Sequence, residues 1–460
     1  MRRRPPSYLA IAAILLACSG CRHEDEMVLE DLNPKDQVTL KIMYLGEEER
    51  FFDTYGSLFM SKYPNIELEI VSPEMSNIQD QDLDKQMDDW IKIEKPDVLM
   101  PMNVDQFIRH AAEGKFYPLD AVIRQDRFDL SGLAPSIVQF LRDKGGGSLY
   151  ALGPVFHSVA MYYNKDLFDK YGIAYPKNRM TWEKAFELAS KFSSAKLSGS
   201  TVYGLQYRNG AHPYVFIESM GGSYGLDLLD PQNKKVTAAT DGWRNVIQMA
   251  AAAYHSGALY LDSGSLQNNP SFGDPRSRDP FLMGESAMAI DDVNLLNLLK
   301  EKELKNQLSF EWGLATVPVG SKHEEIVSDF LIMELFAINA QSENLRAAWE
   351  FVKYIHGNEY ARIKTETQRQ LFTRVEYSQR AYGVNLEPFY ALKLSDASFN
   401  IGYIQLPRDF RLAFRSLVQS EIAAAFNGSK SIEDALNTIQ NEGQAALDKA
   451  LQQELPHQSP

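Results

Sequence analysis

Leu149-Tyr150-Ala151-Leu152-Gly153-Pro154, then Met161-Tyr162-Tyr163-Asn164-Lys165-Asp166-Leu167-Phe168-Asp169-Lys170-Tyr171-Gly172, then Pro176 and Thr181-Trp182, is the stretch whose reading decides the fold. Leu149 to Leu152 and Val159 to Tyr163 are apolar and rich in β-formers, so they read as strands. Asn164-Lys165-Asp166 opens a helix directly after the second of them, with Asp166 in its first turn. Thr181 is placed to cap a further helix, because its hydroxyl accepts one of the orphan N–H groups there.

The same alternation extends outward on both sides. Upstream, Val38 to Leu45 and Ile66 to Val71 alternate as strands, Glu49 to Tyr63 and Asp82 to Ile93 have helical spacing, and Val98 to Met100 is a short apolar run. Strand, helix, strand, helix, strand predicts a mainly parallel sheet with helices on its faces. Downstream, Trp243 to His255 is a helix, Phe281 to Ile290 a helix-to-strand passage, and Trp312 to Val317 a strand. Helices then dominate: Glu343 to His356, Asn358 to Thr367, Arg408 to Phe426 and Ser431 to Gln452. The last has an apolar stripe at Ile432, Ala435, Leu436, Ile439, Ala446 and Leu447. The fold class is α/β with a helical C-terminal part.

At 460 residues, 44% hydrophobic and 23% charged, the chain is too long for one compact core and too apolar for a disordered protein. With 47 basic and 61 acidic side chains the net charge is −14, which argues against a nucleic-acid partner. Both cysteines, Cys18 and Cys21, lie near the start, so the remaining sequence has no disulfide framework and no cysteine metal site. Arg2 to Arg4 precede the apolar stretch Tyr8 to Ala17, which is shorter than the roughly 20 residues a membrane span needs. Residues 1–17 read as an export signal. Leu15-Leu16-Ala17-Cys18 resembles a bacterial lipobox, with Cys18 the expected acylated residue and Cys21 the alternative. Residues 18–36 are then a tether. This layout predicts an exported protein held at the outer face of the cell membrane by lipid.

Catalytic signatures are missing. No Gly-x-Ser-x-Gly stretch reads as a nucleophile elbow, and there is no Gly-x-x-x-x-Gly-Lys-Ser/Thr phosphate loop or His-Glu-x-x-His. The eight histidines show no metal-ligand spacing. Asp80-Gln81-Asp82-Leu83-Asp84 has Lys85 and Ile91 where a calcium loop needs Gly and Glu. No metal, no cofactor and no enzymatic activity are expected.

The opening stretch resembles the family-1 extracellular solute-binding proteins, the maltodextrin-binding-protein-like receptors of ABC importers. Lys62-Tyr63-Pro64-Asn65-Ile66, Lys95-Pro96-Asp97-Val98, Phe281-Leu282-Met283-Gly284-Glu285-Ser286-Ala287-Met288, Trp312-Gly313-Leu314-Ala315-Thr316-Val317-Pro318 and Ala347-Ala348-Trp349-Glu350-Phe351 continue the likeness in order, from about residue 38 to about 450. The resemblance implies a two-lobed periplasmic-binding-protein-like fold with the solute in the interlobe cleft. Crossings near Phe156, Thr316 and Asn339 would place 37–156 in lobe 1 and 157–315 in lobe 2. Residues 316–338 would return to lobe 1, and 339–455 would be mainly lobe 2 helices. It also implies that a small polar solute of the carbohydrate class is delivered to permease subunits by cleft closure. An envelope lipoprotein that senses or scaffolds without transport is the alternative, and an envelope glycoside hydrolase is a further one.

The candidate solute-binding residues lie where such sheets bind ligands, in loops beyond strand ends. Glu47 and Glu48 follow the first strand and offer carboxylates to hydroxyls. Asn103 and Asp105 follow the Pro-Asp-Val strand. His157 precedes the Tyr-Tyr-Asn-Lys-Asp block, at a position where maltodextrin-binding relatives carry a ligand-contacting acid. Tyr207, Arg208, His212 and Tyr214 form a loop able to stack on and hydrogen-bond to a sugar face. Asp291 and Asn294 follow Ala-Met-Ala-Ile, where many sugar-binding relatives have a Trp. Arg374 either reaches the cleft or braces it. Trp90, Trp182, Trp243, Trp312 and Trp349 are expected in the core.

Overall fold

Val38–Met43 alternates because one face is buried and the other is wet: Leu40 and Ile42 are fully buried, while Lys41 reaches Glu69 of the neighbouring strand at 3.2 Å. The computed structural model describes residues 28–454, apart from 74–82, 102, 194, 198–199, 209–211, 262–278, 324, 333, 396–401 and 404. In chain order the strands of the two main sheets are β1 (Val38–Met43), β2 (Ile66–Val71), β3 (Val98–Leu99), β4 (Ala151–Leu152), β5 (Val155–Asn164), β6 (Tyr203–Tyr207), β7 (Leu259–Tyr260), β8 (Ser286–Asp292), β9 (Trp312–Ala315), β10 (Phe330–Ile332), β11 (Phe336–Ile338) and β12 (Leu371–Phe372).

The first sheet has the order β2-β1-β3-β11-β4. β1 is parallel to β2 and β3, and β11 runs antiparallel to β3 and β4. The second has the order β7-β6-β8-β5-β9, with β10 and β12 added antiparallel along the start of β5. In it β6 is parallel to β7 and β8, and β5 is antiparallel to β8 and β9. The fold is α/β and two-lobed.

Seven helices position the site: α1 (Val104–Ala112), α2 (Pro135–Lys144), α3 (Pro213–Ser223), α4 (Val293–Leu304), α5 (Leu345–Ile355), α6 (Arg408–Phe426) and α7 (Ile432–Glu454). The helix entered from β5 starts where expected: the Asn164 side chain accepts from Leu167 N at 3.1 Å. Thr181 caps the next helix, accepting from Lys184 N. In α7, Ala435, Leu436, Ile439 and Leu447 are buried, and the helix packs on α6 and on Asp241–His255. Trp182, Trp243, Trp312 and Trp349 are buried, and Trp90 is partly so.

Three short passages run between the two sheets. The first is Gly153-Pro154, just before β5 pairs with β12 at Val155 and Phe156. Gly153 is required there, since a Cβ would meet Ile332 Cγ2 at 2.7 Å and Glu334 O at 3.0 Å. The second lies between Ile332 and Phe336, not at Thr316. Residues 316–332 stay with the second sheet, because Val319 bridges Thr181 and Phe330–Ile332 completes the ladder beside β5. The third runs through Leu371–Phe372, where Thr373 N donates to Pro154 O at 2.9 Å. It carries no periodic pattern from which to read it.

The expected grouping of 339–455 also changes. Helix α5 packs on β11 and β1, with Phe351 against Phe51, Phe59 and Phe336, so it belongs to the first lobe. Helices α6 and α7 belong to the second. The tether is shorter than read. Leu29 is 7% exposed, exchanges backbone hydrogen bonds with the Gln125 side chain, and is followed by an Asp31–Arg346 ion pair. Residues 1–27, with Cys18 and Cys21, lie outside the described residues.

Candidate functional site

Between the lobes lies a cleft of about 1030 Å³. The first lobe contributes Ile108 of α1 and Asp143 and Lys144 at the end of α2. The second contributes the end of β6, one face of α3, residues 225–232, the turn at Ser328-Asp329, Tyr403, and Phe414 and Arg415 of α6. The volume is at the upper end of what small-solute sites occupy. Of the twelve residues expected from the sequence, three line it: Tyr207, Arg208 and Tyr214.

These three are placed by the second sheet and α3. β6 and β8 run parallel, so their carboxyl ends point the same way, beside the start of the antiparallel β5. Arg208 follows β6 directly. Its Nη2 donates to Asp329 Oδ1 at 2.8 Å, and the Tyr207 hydroxyl donates to Asp329 Oδ2 at 3.2 Å. His157 on β5 stands 3.3 Å from the same Arg208 nitrogen. Burial first, then the Arg208 charge, holds the imidazole below its usual range, so a neutral ring accepts from the guanidinium. Tyr214 is nine-tenths buried and its hydroxyl donates to Glu218 Oε1 at 2.7 Å, one helical turn on. Glu218 is exposed in the cleft, and partial loss of hydration there raises its carboxyl above the ordinary range.

The other nine expected residues are used differently. Glu47 and Glu48 are exposed at a helix start. Asn103 caps α1, accepting from Gln106 N at 2.8 Å. Asp105 reaches the other lobe, where both carboxylate oxygens accept from Gly402 N at 2.8 and 2.7 Å. His157 stands behind Arg208, and His212 caps α3 through Nδ1. Asp291 is sealed at the end of β8, accepting from Asp292 N at 2.7 Å. Burial, then the Asp292 charge, raises it to about 7. Asn294 bonds to Asp292, the cap of α4. Arg374 is 4% exposed and braces the first lobe through Asp129 and the His356 carbonyl.

Sequence reading missed Glu218, Asp329, Tyr403 and Arg415. Glu218 had a signal, since it lies four residues after Tyr214 and so shares a helix face. Asp329 and Tyr403 had none, because the fold brings them from 121 and 195 residues beyond Arg208. Rings and charges together allow stacking on C–H faces and hydrogen bonding to hydroxyls. Among the described residues no cluster of three or more His, Cys, Asp or Glu could hold a metal, and no helix is long and apolar enough to cross a membrane.

A two-lobed α/β fold with a polar, ring-lined interlobe cleft is the architecture of solute-capturing proteins. The chain belongs to the bacterial extracellular solute-binding protein family, whose profile matches residues 39–362. It is 28% identical over 299 residues to a binding protein of Brucella abortus (strain 2308), covering 62% of this chain and 65% of that relative's length. Over 111 residues it is 32% identical to the sn-glycerol-3-phosphate-binding periplasmic protein of the same strain, 24% of this chain and 25% of the relative. The solved sugar transporter of Rhizobium etli, in an open conformation, superposes with a TM-score of 0.60 at 18% identity, covering 89% of this chain and 99% of its own. The family is one of bacterial extracellular solute-binding proteins.

Proposed function

We propose that the protein is a lipid-anchored receptor that captures a small polar solute, a carbohydrate, outside the membrane and presents it to the permease subunits of an ABC importer. The observation that carries this reading is the interlobe cleft, where Tyr207 and Tyr214 stand beside hydrogen-bonding carboxylates. A sugar offers the matching pair of surfaces, C–H faces for rings and hydroxyls for carboxylates and guanidinium. The solute contacts Tyr207, Arg208 and Tyr214, with Glu218, Asp329 and Tyr403 completing the shell. Capture requires no chemistry, so the protein is not an enzyme, and closure of the lobes is the signal that the importer reads. The anchor is the lipidated Cys18, with Cys21 as its alternative.

Solute binding to the folded state raises the melting temperature by mass action. A thermal-shift screen over monosaccharides, oligosaccharides, polyols and sn-glycerol 3-phosphate is therefore expected to find sugars that stabilise the protein by a few degrees without being consumed. A screen in which no sugar shifts the transition sinks the carbohydrate reading. Turnover of a stabilising sugar sinks the receptor reading.

A further inference from the structure

Arg208 is held by more than its ion pair. Its Nη2 has two hydrogens to donate and meets two acceptors, Asp329 Oδ1 at 2.8 Å and His157 Nε2 at 3.3 Å. A guanidinium has donors only, so Nε2 is the acceptor here and carries no proton. The two acceptors together fix the plane of the guanidinium. Arg208 lines the cleft, and its Nη1 meets no acceptor among the described residues, so that nitrogen is left to donate to a solute oxygen. The cluster is partly withdrawn from water: the side chains of His157, Arg208, Asp292 and Asp329 are 28%, 24%, 12% and 19% exposed. Charges so placed interact more strongly than on an open surface.

A proton on Nε2 would remove the acceptor and set an imidazolium 3.3 Å from a guanidinium nitrogen. The charges that act on the ring are Arg208, Asp292 and Asp329, while Tyr207 and Asp291 act on Arg208. β10 sets only Leu331 opposite His157. Asp292 Oδ2, 3.8 Å from Nε2, would draw the imidazolium away from Arg208. Asp292 itself is held in place, since its two oxygens accept from Asn294 N at 2.7 Å and Asn294 Nδ2 at 3.1 Å. Ring and guanidinium would therefore part. Resting on the reading of Arg208 as a solute contact, we propose that His157 is a positioning residue: its neutral ring aims Arg208 at the solute, and its protonation releases the guanidinium, so the cleft binds solute more weakly in acid. Burial and Arg208 outweigh the two acids, which puts the change below the ordinary imidazole value of 6.5.

The test titrates maltose and D-mannitol calorimetrically into the wild type, His157→Gln and His157→Ala, from about pH 7.5 down to about pH 4.5. Wild-type affinity is expected to fall roughly tenfold over that range, the worth of one hydrogen bond to a charged group. His157→Ala is expected to bind roughly tenfold more weakly than the wild type already at neutral pH. His157→Gln restores an acceptor that does not titrate, and is expected to recover most of that affinity and to lose most of the fall. It leaves Glu218 and the cleft aspartates unchanged, so the difference in slope from the wild type belongs to His157. A second measurement needs no solute. The ring resonances of His157, assigned by their loss in His157→Gln, are expected to titrate below 6.5 in the wild type and to move up in Arg208→Gln, whether or not either probe binds. A wild-type affinity that does not fall in acid, an equal fall in His157→Gln, undiminished affinity in His157→Ala, or a His157 midpoint unmoved by Arg208→Gln overturns this inference and leaves the carbohydrate reading standing. Failure of both probes to bind at any pH, with no sugar active in the thermal screen, overturns both.

Discussion

Asp291 shows how far a single residue could be read. It was a reasonable solute contact by sequence, lying just past the apolar run Ala287 to Ile290. The pattern does not reveal that β8 is buried over its whole length, and so Asp291 is sealed instead of lining the cleft. Tyr207, Arg208 and Tyr214 do line the cleft, but from the end of β6 and the first turn of α3 and not from the loop that the sequence suggested. The burial of Asp291 has a measurable consequence. Its native pKa is raised from 3.8 to about 7, by loss of hydration and then by Asp292. The folded state therefore binds this proton more tightly than the unfolded chain. The stability it contributes is full below about pH 4 and is lost as pH rises towards about 7. Asp291→Asn, uncharged throughout, is expected to remove this fall, which is on the order of a few kcal/mol. Denaturant unfolding at a series of pH values measures it, and an unchanged slope in the variant refutes the assignment.

Strands and helices were legible wherever one face is buried and the other wet, as in β1, α5 and α7. The passages between lobes were not, because each is two to four residues long and has no period. The third, at Leu371–Phe372, is fixed only by pairing with β5. Asp105 belongs to this scale. Its carboxylate is a candidate solute contact by sequence, and in the structure it joins α1 of the first lobe to Gly402 of the second. Gly402 holds φ at +80°, and a Cβ there would meet Pro231 at 3.1 Å, so the amide is aimed at Asp105 by a conformation that favours glycine. One bifurcated, charge-assisted hydrogen bond across a cleft biases the lobes towards closure. Asp105→Ala is expected to shift the unliganded protein to a more open average, seen as a larger radius of gyration in small-angle scattering. Solute affinity is expected to fall several-fold. Identical scattering from both proteins contradicts a role for this contact in closure.

At the scale of the molecule, each lobe is assembled from separate stretches of chain. The first lobe takes β1 to β4, β11 and α5; the second takes the strands β5 to β10, with α6 and α7. This interleaving leaves three short passages side by side, Gly153-Pro154, Ile332 to Phe336 and Leu371–Phe372, as the joint between the lobes. Docking of Leu29 and Asp31 onto the first lobe makes that lobe the one fixed to the N-terminal segment. A solute that touches both walls at once shifts the population towards the closed form by its difference in affinity for the two. Trp243 lies at the buried base of the cleft, so tryptophan emission is expected to follow such a change. The most direct measurement is a calorimetric titration, with tryptophan emission followed in parallel, of the wild type and of Tyr214→Ala with a sugar that stabilises the protein. Saturable one-to-one binding with an emission change in the wild type, weakened at least tenfold in a variant that remains folded, is the predicted result. Undiminished binding in Tyr214→Ala would contradict the placement of the solute in this cleft.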